Sequence, residues 1–478
     1  MNLYTLFRDA AGRYPEHPAI IDKDVTVSYR ELDDMICALA EDLRGLGVSP
    51  GQMVGLCFVN STAYIVFTYA LWKLDAAVVP IDADSKEAEI RQVCDRMRLS
   101  AIIHYQGEGD GWQTGRCPKM ETPFYFRSMY CDIRTESGIH MAFVRFTSGT
   151  TGARKGVVLS HERIYERICA VNKALGITCA DRVLWTLPMS HHFVSTIVLY
   201  LACGACIVLS GGIWSRAILD TIRRHHVTLL YASPFHYSLL AADTSDQMMP
   251  GVRLAISTAS GLPGWIHEKF YNRFHLPLAQ AYGIIEIGLV CINTDQPAEK
   301  PDSVGPVLPD YQVHIKNPQA YPGGGGGMTC GEVFFRGPGF FDAYFDPWID
   351  ERSALVDGWF ETGDIGGLDA DGYMYLYGRK NHVINTAGMK VFPREVEAEL
   401  NRHPDVKESC VYGKSHDRLG QIVAARVVLH NGAAEVDSAA LKAFCRRTLA
   451  TYKVPEYIDF TEYIEKTPAT GKIVRPQG

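Results

Sequence analysis

The sequence predicts an α/β protein: a large N-terminal domain of mostly parallel, helix-covered sheets, and a small α+β C-terminal domain joined to it by a hinge. Three observations carry this expectation. Short β-branched or apolar runs alternate with helix-like segments from Met1 to about Tyr375, the pattern of strand–helix–strand units that build parallel sheets. The 478 residues, 47% of them hydrophobic, exceed what one hydrophobic core usually supports. Beyond Gly378 the composition becomes richer in charge, which places the boundary at Tyr377 to Asn381 and divides the chain into 1–378 and 379–478.

The runs Met53–Phe58, Ala76–Ile81, Ala101–His104, Ala205–Leu209 and Thr228–Tyr231 read as buried strands. Ser28 precedes Tyr29-Arg-Glu31 and an apolar face at Leu32, Ile36 and Leu39, and Ser160 precedes His161-Glu162-Arg163; both are N-cap signatures with acidic first turns. The longest apolar run, Ile197–Leu209, is interrupted by Gly204 and falls short of the ~18 residues of a spanning helix. It reads as a buried helix feeding a buried strand. Gly323–Gly327 lies between strand-like Tyr311–Ile315 and Glu332–Arg336, as the loop of an exposed hairpin would. In the last hundred residues, Glu395–Leu400, Ser409–Tyr412, Ala424–Leu429 and Ala439–Leu449 form the small α+β module.

Lys and Arg number 47 against 54 Asp and Glu, a formal charge of -7 without a polybasic run, so nucleic acid is not the expected partner. The 13 cysteines are mostly single, apart from Cys203 and Cys206 in an apolar stretch, which fits a reducing, cytoplasmic setting better than a disulfide framework or zinc ribbon. Met1–Tyr14 mixes Arg8, Asp9 and Arg13 with apolar residues and lacks the order of a signal peptide.

The most informative stretch is Phe146-Thr-Ser-Gly-Thr-Thr-Gly-Ala-Arg-Lys-Gly156. Glycines let backbone N–H groups converge, hydroxyls add donors and Lys155 adds a point charge, a combination suited to wrapping polyphosphate. It is not a GxxxxGK[ST] loop, because Lys155 precedes Gly156 and no hydroxyl follows. The plain alternative is a polar turn.

This stretch resembles the phosphate loop of the adenylate-forming superfamily, which includes acyl-CoA synthetases, aryl-acid ligases, peptide-synthetase adenylation domains and luciferases. The resemblance continues in order along the chain. Ala281-Tyr-Gly-Ile-Ile-Glu286 is similar to the Tyr-Gly-x-Thr-Glu motif, with Ile285 in place of the threonine; Gly358-Trp-Phe-Glu-Thr-Gly-Asp364 is similar to the ribose motif; Tyr377–Lys390 resembles the hinge motif; and Thr467-Pro-Ala-Thr-Gly-Lys-Ile-Val-Arg475 resembles the C-terminal signature. Together these motifs run from Thr147 to Arg475.

The resemblance implies ATP, Mg²⁺, and coenzyme A or a phosphopantetheinyl carrier protein as reaction components. It implies that Thr147, Ser148, Gly149, Thr150, Thr151, Gly152 and Lys155 hold the pyrophosphate, and that Thr258, Ala259, Ser260, Tyr282 and Gly283 line the nucleotide site. It implies further that Glu286 holds Mg²⁺, that Asp364 and Arg379 take the ribose, and that Lys472 bridges carboxylate and phosphate. Asn381 is then the hinge, and the Gly388 loop lines the thiol tunnel. The acid pocket falls to His191, His192, Phe193, Ser195, Ile284 and Ile285. For the histidines, satisfied core residues are the alternative. Amino-acid-activating members carry an aspartate after a phenylalanine, whereas Val194 follows Phe193 here, so an aryl acid or a short to medium acyl acid fits better than an α-amino acid. The expected activity is activation of the acid as acyl-AMP and transfer to a thiol, with any carrier supplied by another chain. Two other readings compete: an adenylating enzyme with a different second step, and a nucleotide-binding regulatory protein without turnover.

Overall fold

A computed structural model describes residues 1–107, 111–117, 122–129, 138–146, 155–320, 329–430, 436–466 and 473–476. Among them the strands form four sheets. The eight-stranded sheet runs Gly288–Ile292, Leu278–Ile284, Leu254–Ser257, Leu229–Ala232, Arg182–Trp185, Cys206–Leu209, Pro18–Asp22, Val25–Ser28. Its inner pairings are parallel and its two outer ones antiparallel. The nine-stranded sheet has a parallel centre of Met141–Phe146, Ala77–Ile81, Met53–Cys57 and Ala101–His104, with antiparallel strands on both flanks. Strands buried on both faces must be apolar throughout, and Met53–Cys57 and Cys206–Leu209 are buried at every position.

The sequence signals account for the helices between these strands. Ser28 closes a capping box: its N–H donates to Glu31 Oε2 at 2.8 Å and its Oγ accepts from Glu31 N at 3.2 Å, satisfying donors left open in a first turn. Ser160 Oγ accepts from Arg163 N at 3.2 Å in the same way. The run from Ile197 is the helix Ile197–Ala202 followed by the strand Cys206–Leu209. Gly204 turns between them at φ +82°, where a Cβ would meet the Tyr14 ring at 2.5 Å, so both conformation and space require glycine. The main core lies between the helices and these two sheets, with Trp72, Tyr64, Tyr69 and Phe193 at its aromatic centre.

One part of the large domain departs from the strand–helix alternation. Gly305–Pro306, Tyr373–Arg379, Phe360–Leu368, Thr329–Arg336 and Gln312–Ala320 form a five-stranded sheet that is antiparallel throughout. Two of the pairings join strands close in sequence, Gln312–Ala320 with Thr329–Arg336 and Phe360–Leu368 with Tyr373–Arg379, and connections this short admit only antiparallel neighbours, since parallel ones need a long crossover. Between Leu368 and Tyr373 the chain reverses at once: Asp369 Oδ1 accepts from Asp371 N at 3.0 Å and Tyr373 N at 2.8 Å, and Gly372 sits at φ +83°. The strands on either side of the five-glycine run pair antiparallel, while the glycines themselves lie outside the described residues.

After the turn Lys380–His382, a separate sheet contains Met389–Val391, Ile384–Thr386, Gly420–Leu429, Val406–His416 and Tyr457–Phe460, covered by the helices Pro393–Leu400 and Ser438–Cys445. This α+β unit has its own core around Ile384, Val396, Leu400, Val411, Val427 and Leu441. It meets the antiparallel sheet where Phe392 packs with Cys330 and Ile365. No helix among the described residues is long and apolar enough to cross a membrane.

Candidate functional site

The ends of the parallel strands, the antiparallel sheet and the small domain come together where Tyr282 and Arg379 meet Asp364 and Arg394 meets Gly261. Glu286 sits in the reversal between Leu278–Ile284 and Gly288–Ile292. A bulge between Tyr282 and Gly283 shapes it; a Cβ at 283 would lie 2.2 Å from the Gly288 carbonyl oxygen, so only glycine permits this approach. The reversal is pinned from below by Arg167 of the helix His161–Leu175. Its guanidinium donates to Ile285 O at 2.8 Å, to Glu286 O at 2.7 Å and to Gly339 O. Burial lowers the pKa of Arg167 to about 10, and three carbonyl acceptors compensate the buried cation.

The Glu286 carboxyl is only half-buried, yet the protein around it raises its pKa through desolvation, which outweighs the opposing pull of Arg379 and Arg167. Its Oε1 accepts from Tyr344 Oη at 3.4 Å. Lys155, the described end of the phosphate-loop stretch, holds Nζ 4.7 Å from the Tyr344 ring centroid, within cation–π range. Ala343–Phe345 pairs with the strand Gly156–Ser160, Tyr344 opposite Val157, and so brings these three side chains together. Among the described residues no three His, Cys, Asp or Glu side chains form a metal-binding group. A single carboxylate would suit Mg²⁺ only together with substrate phosphates, since Mg²⁺ is usually held by one or two carboxylates, waters and phosphate oxygens.

A second constellation gathers around Asp364. Asp364 and Arg379 stand opposite each other on adjacent antiparallel strands, and Arg379 Nε is 3.1 Å from Asp364 Oδ1. Tyr282 Oη donates to Asp364 Oδ2 at 2.6 Å, a charge-assisted bond. Burial first, and then the Asp364 charge, raise the Tyr282 pKa well above the ordinary tyrosine value, so the phenol remains a donor. Arg379 Nη1 also donates to Thr362 O at 2.8 Å. Thr258, Ala259 and Ser260 follow the strand Leu254–Ser257, with Ala259 at φ +73°; a left-handed alanine costs about 1–2 kcal/mol and presents backbone groups in a fixed turn.

On the other flank, His191 belongs to a half-buried charge chain. Its Nε2 lies 2.9 Å and 3.0 Å from the Asp82 oxygens, and its Nδ1 contacts Arg145 Nη2. Arginine can only donate, so Nδ1 accepts and Nε2 carries the proton toward Asp82. Arg145 Nη1 also donates to His191 O at 2.7 Å, and Ser190 Oγ donates to Asp82 at 2.6 Å. Burial alone would raise the Asp82 pKa, but the hydrogen bonds from His191 and Ser190 prevail and lower it. His192 makes edge contacts with Trp185 and Tyr231. Ile284 and Ile285 are half-buried against the main core, and Ser195 is half-buried.

Phe193 belongs to the main core. Its ring is fully buried, 5.6 Å from Tyr64 and 5.8 Å from Trp72 between centroids, because the short helix Phe193–Ser195 turns it into the aromatic core. Asn381 is exposed in the turn Lys380–His382. Gly388, at φ +83°, occupies an exposed hairpin tip. Thr147, Ser148, Gly149, Thr150, Thr151, Gly152 and Lys472 lie outside the described residues. Just beyond Lys472, Arg475 Nη2 is 2.7 Å and 2.8 Å from the buried Glu397 carboxylate, which ties the C-terminal signature to the small-domain core. Sequence reasoning missed Arg167, Tyr344, Asp82 and Arg145. Only Arg145, a cation inside the apolar strand Met141–Phe146, carried a local signal.

The model of a family described as AMP-binding enzyme matches residues 7–345, and that of the AMP-binding enzyme C-terminal domain matches residues 395–472. A feruloyl-CoA synthase of Amycolatopsis is 26% identical over 475 residues, covering 96% of this chain and 95% of that protein. A 2-succinylbenzoate–CoA ligase of Bacillus licheniformis is 27% identical over 473 residues, covering 96% of each. The ATP-bound structure of MatB from Rhodopseudomonas palustris superposes with a TM-score of 0.83 at 23% identity, covering 99% of this chain and 97% of that one; this likeness is one of fold.

Proposed function

The chain belongs to the AMP-binding enzyme family and is an AMP-forming acid–thiol ligase, and from this premise we propose that it uses ATP and Mg²⁺ to activate an aryl or short- to medium-chain acyl acid and passes the acyl group to coenzyme A. The observation that carries this reading is the meeting of the Tyr282–Asp364–Arg379 constellation with the Glu286–Tyr344–Lys155 corner.

In the first half-reaction the acid's carboxylate oxygen attacks the α-phosphorus of ATP, the bond to the β-phosphate bridging oxygen breaks, and pyrophosphate leaves. Asp364 accepts from the ribose hydroxyls, and Tyr282 and the Thr258–Ser260 turn hold the adenine. The stretch from Thr147 to Lys155 offers backbone N–H groups, hydroxyls and one ammonium to the leaving pyrophosphate. Lys472 would offset the repulsion between the two anions that otherwise opposes attack. Glu286 would hold Mg²⁺, which offsets phosphate charge when bound; ionising a carboxylate whose pKa burial has raised is easier beside a cation. In the second half-reaction the small domain turns about Asn381, with the boundary at 378 and 379. The Gly388 hairpin, now exposed, is carried to the site, and the thiol sulfur displaces AMP from the acyl carbon.

Coenzyme A as acceptor is supported by the names of the relatives; a carrier-borne phosphopantetheine presents the same thiol. Acid-dependent pyrophosphate release over a panel of aryl and alkyl acids, with coenzyme A or a phosphopantetheinylated carrier, tests the reading. Release with a subset of acids and thioester formation with coenzyme A are expected. No release with any acid, in a protein that binds ATP, would overturn it.

A further inference from the structure

Three arginines, Arg379, Arg394 and Arg475, gather with His382 at the seam between the domains, around Asp364 and Glu397. Two of them are matched: Arg379 by Asp364 and Arg475 by Glu397. His382 is held neutral at physiological pH, its pKa lowered to about 4 by burial and then by the surrounding arginines. One positive charge is therefore left over. Arg394 makes no hydrogen bond or ion pair with any described residue, and its side chain keeps access to solvent.

Arg394 opens the small-domain helix Pro393–Leu400, yet its guanidinium reaches the large domain. A Cβ built on Gly261 would lie 2.7 Å from Nη1, 3.0 Å from Cζ and 3.2 Å from Nη2 of Arg394. Any side chain at 261 would take the space the guanidinium fills. Gly261 directly follows the Thr258–Ser260 turn, and the Asp364 charge is among those that act on Arg394. The unmatched cation thus stands over one end of the adenine turn, within the field of the ribose anchor. Although exposed, it is crowded by both domains, and desolvation lowers its pKa, most strongly of the influences on it; it remains charged and incompletely solvated, a condition that favours an incoming anion or π-face.

We propose that Arg394 is a nucleotide-binding residue contributed by the small domain, which contacts the purine–ribose end of ATP across the seam and thereby makes nucleotide binding favour this arrangement of the two domains. The inference rests on the function proposed above. Its energetic logic is differential affinity: a ligand shifts a domain equilibrium only by contacts it makes in one arrangement and not the other, and a contact borne by the mobile domain is of that kind.

Calorimetric titration of the full-length protein with Mg·ATP, without acid, tests it with no need for turnover. Arg394→Ala should weaken ATP binding about five- to thirtyfold, between an exposed and a desolvated cation–π contact, with Arg394→Lys in between. Gly261→Val, which displaces the guanidinium while leaving Arg394 in the chain, should weaken ATP binding similarly. In steady state the change should appear in the ATP KM more than in kcat. Thermal melts would verify that the variants are folded. ATP affinity in Arg394→Ala within twofold of the unsubstituted protein would overturn the proposal. If the unsubstituted protein itself binds no ATP, or binds it without acid-dependent pyrophosphate release, the failure lies with the underlying function.

Discussion

The two sides of the site are built differently. On the side proposed for the nucleotide, Asp364, Arg379 and Tyr282 hold one another through hydrogen bonds and an ion pair on neighbouring strands. On the side proposed for the acid, His191 has both ring nitrogens engaged by Asp82 and Arg145, and Phe193 is packed into the main core. Polar groups that prepare a site for a constant ligand can be set by short motifs. A pocket whose shape follows from how the core packs cannot, so the acid is harder to read than the nucleotide.

Phe193→Ala gives the largest expected effect and the sharpest test of this difference. Removing a fully buried aromatic ring should cost about 3–5 kcal/mol of stability, measured by denaturant unfolding. Unchanged stability with altered acid preference would instead make the ring a pocket wall and remove the contrast. Lys472→Ala should lower acyl-AMP formation by about 10²–10³-fold, the range for losing one positioned charge-stabilising group, as followed by pyrophosphate release. A loss below tenfold would detach the C-terminal signature from the nucleotide side.

Asp364→Asn removes the charge that binds Arg379 and accepts from Tyr282. Charge-assisted bonds contribute about 1.5–3 kcal/mol, so the ATP KM should rise roughly tenfold to a hundredfold, with the acid KM less affected. Equal rises in both would show that the two sides are not separable. The smallest effect concerns Glu286. Its folded pKa is raised, so the unfolded carboxyl is the stronger acid, and this residue's contribution to stability is lost as pH rises from about 4.3, the ordinary glutamate value, through the folded value. Glu286→Gln should therefore melt slightly higher at pH 7 while losing Mg²⁺-dependent turnover. In the unsubstituted protein, activity should rise with pH through the raised pKa, and excess Mg²⁺ should move that limb to lower pH. A limb insensitive to Mg²⁺ would assign it elsewhere.

Much of this molecule was legible in one dimension. Alternating apolar runs marked the parallel strands, Ser28 and Ser160 marked helix starts, and short stretches around Tyr282, Asp364 and Arg379 carried the nucleotide side, because each depends on neighbours within a few residues. What the chain brings together from a distance was not legible. Arg167 secures the Glu286 reversal from more than a hundred positions away, Tyr344 joins Lys155 to Glu286 through a strand pairing, and Asp82 reaches His191 from another strand's end. In the antiparallel sheet of 305–379 short turns fix two pairings, while Thr329–Arg336 meets Phe360–Leu368 across a long connection, and Phe193 is packed in the core by the short helix that carries it. The sequence by itself determined the fold class, the two-part architecture and the family of chemistry, since periodicity, caps and turn residues are local. Tertiary structure alone decided which charges meet, which rings are buried, and that Arg394 of one domain lies against Gly261 of the other, since those outcomes depend on packing between segments that no local pattern encodes.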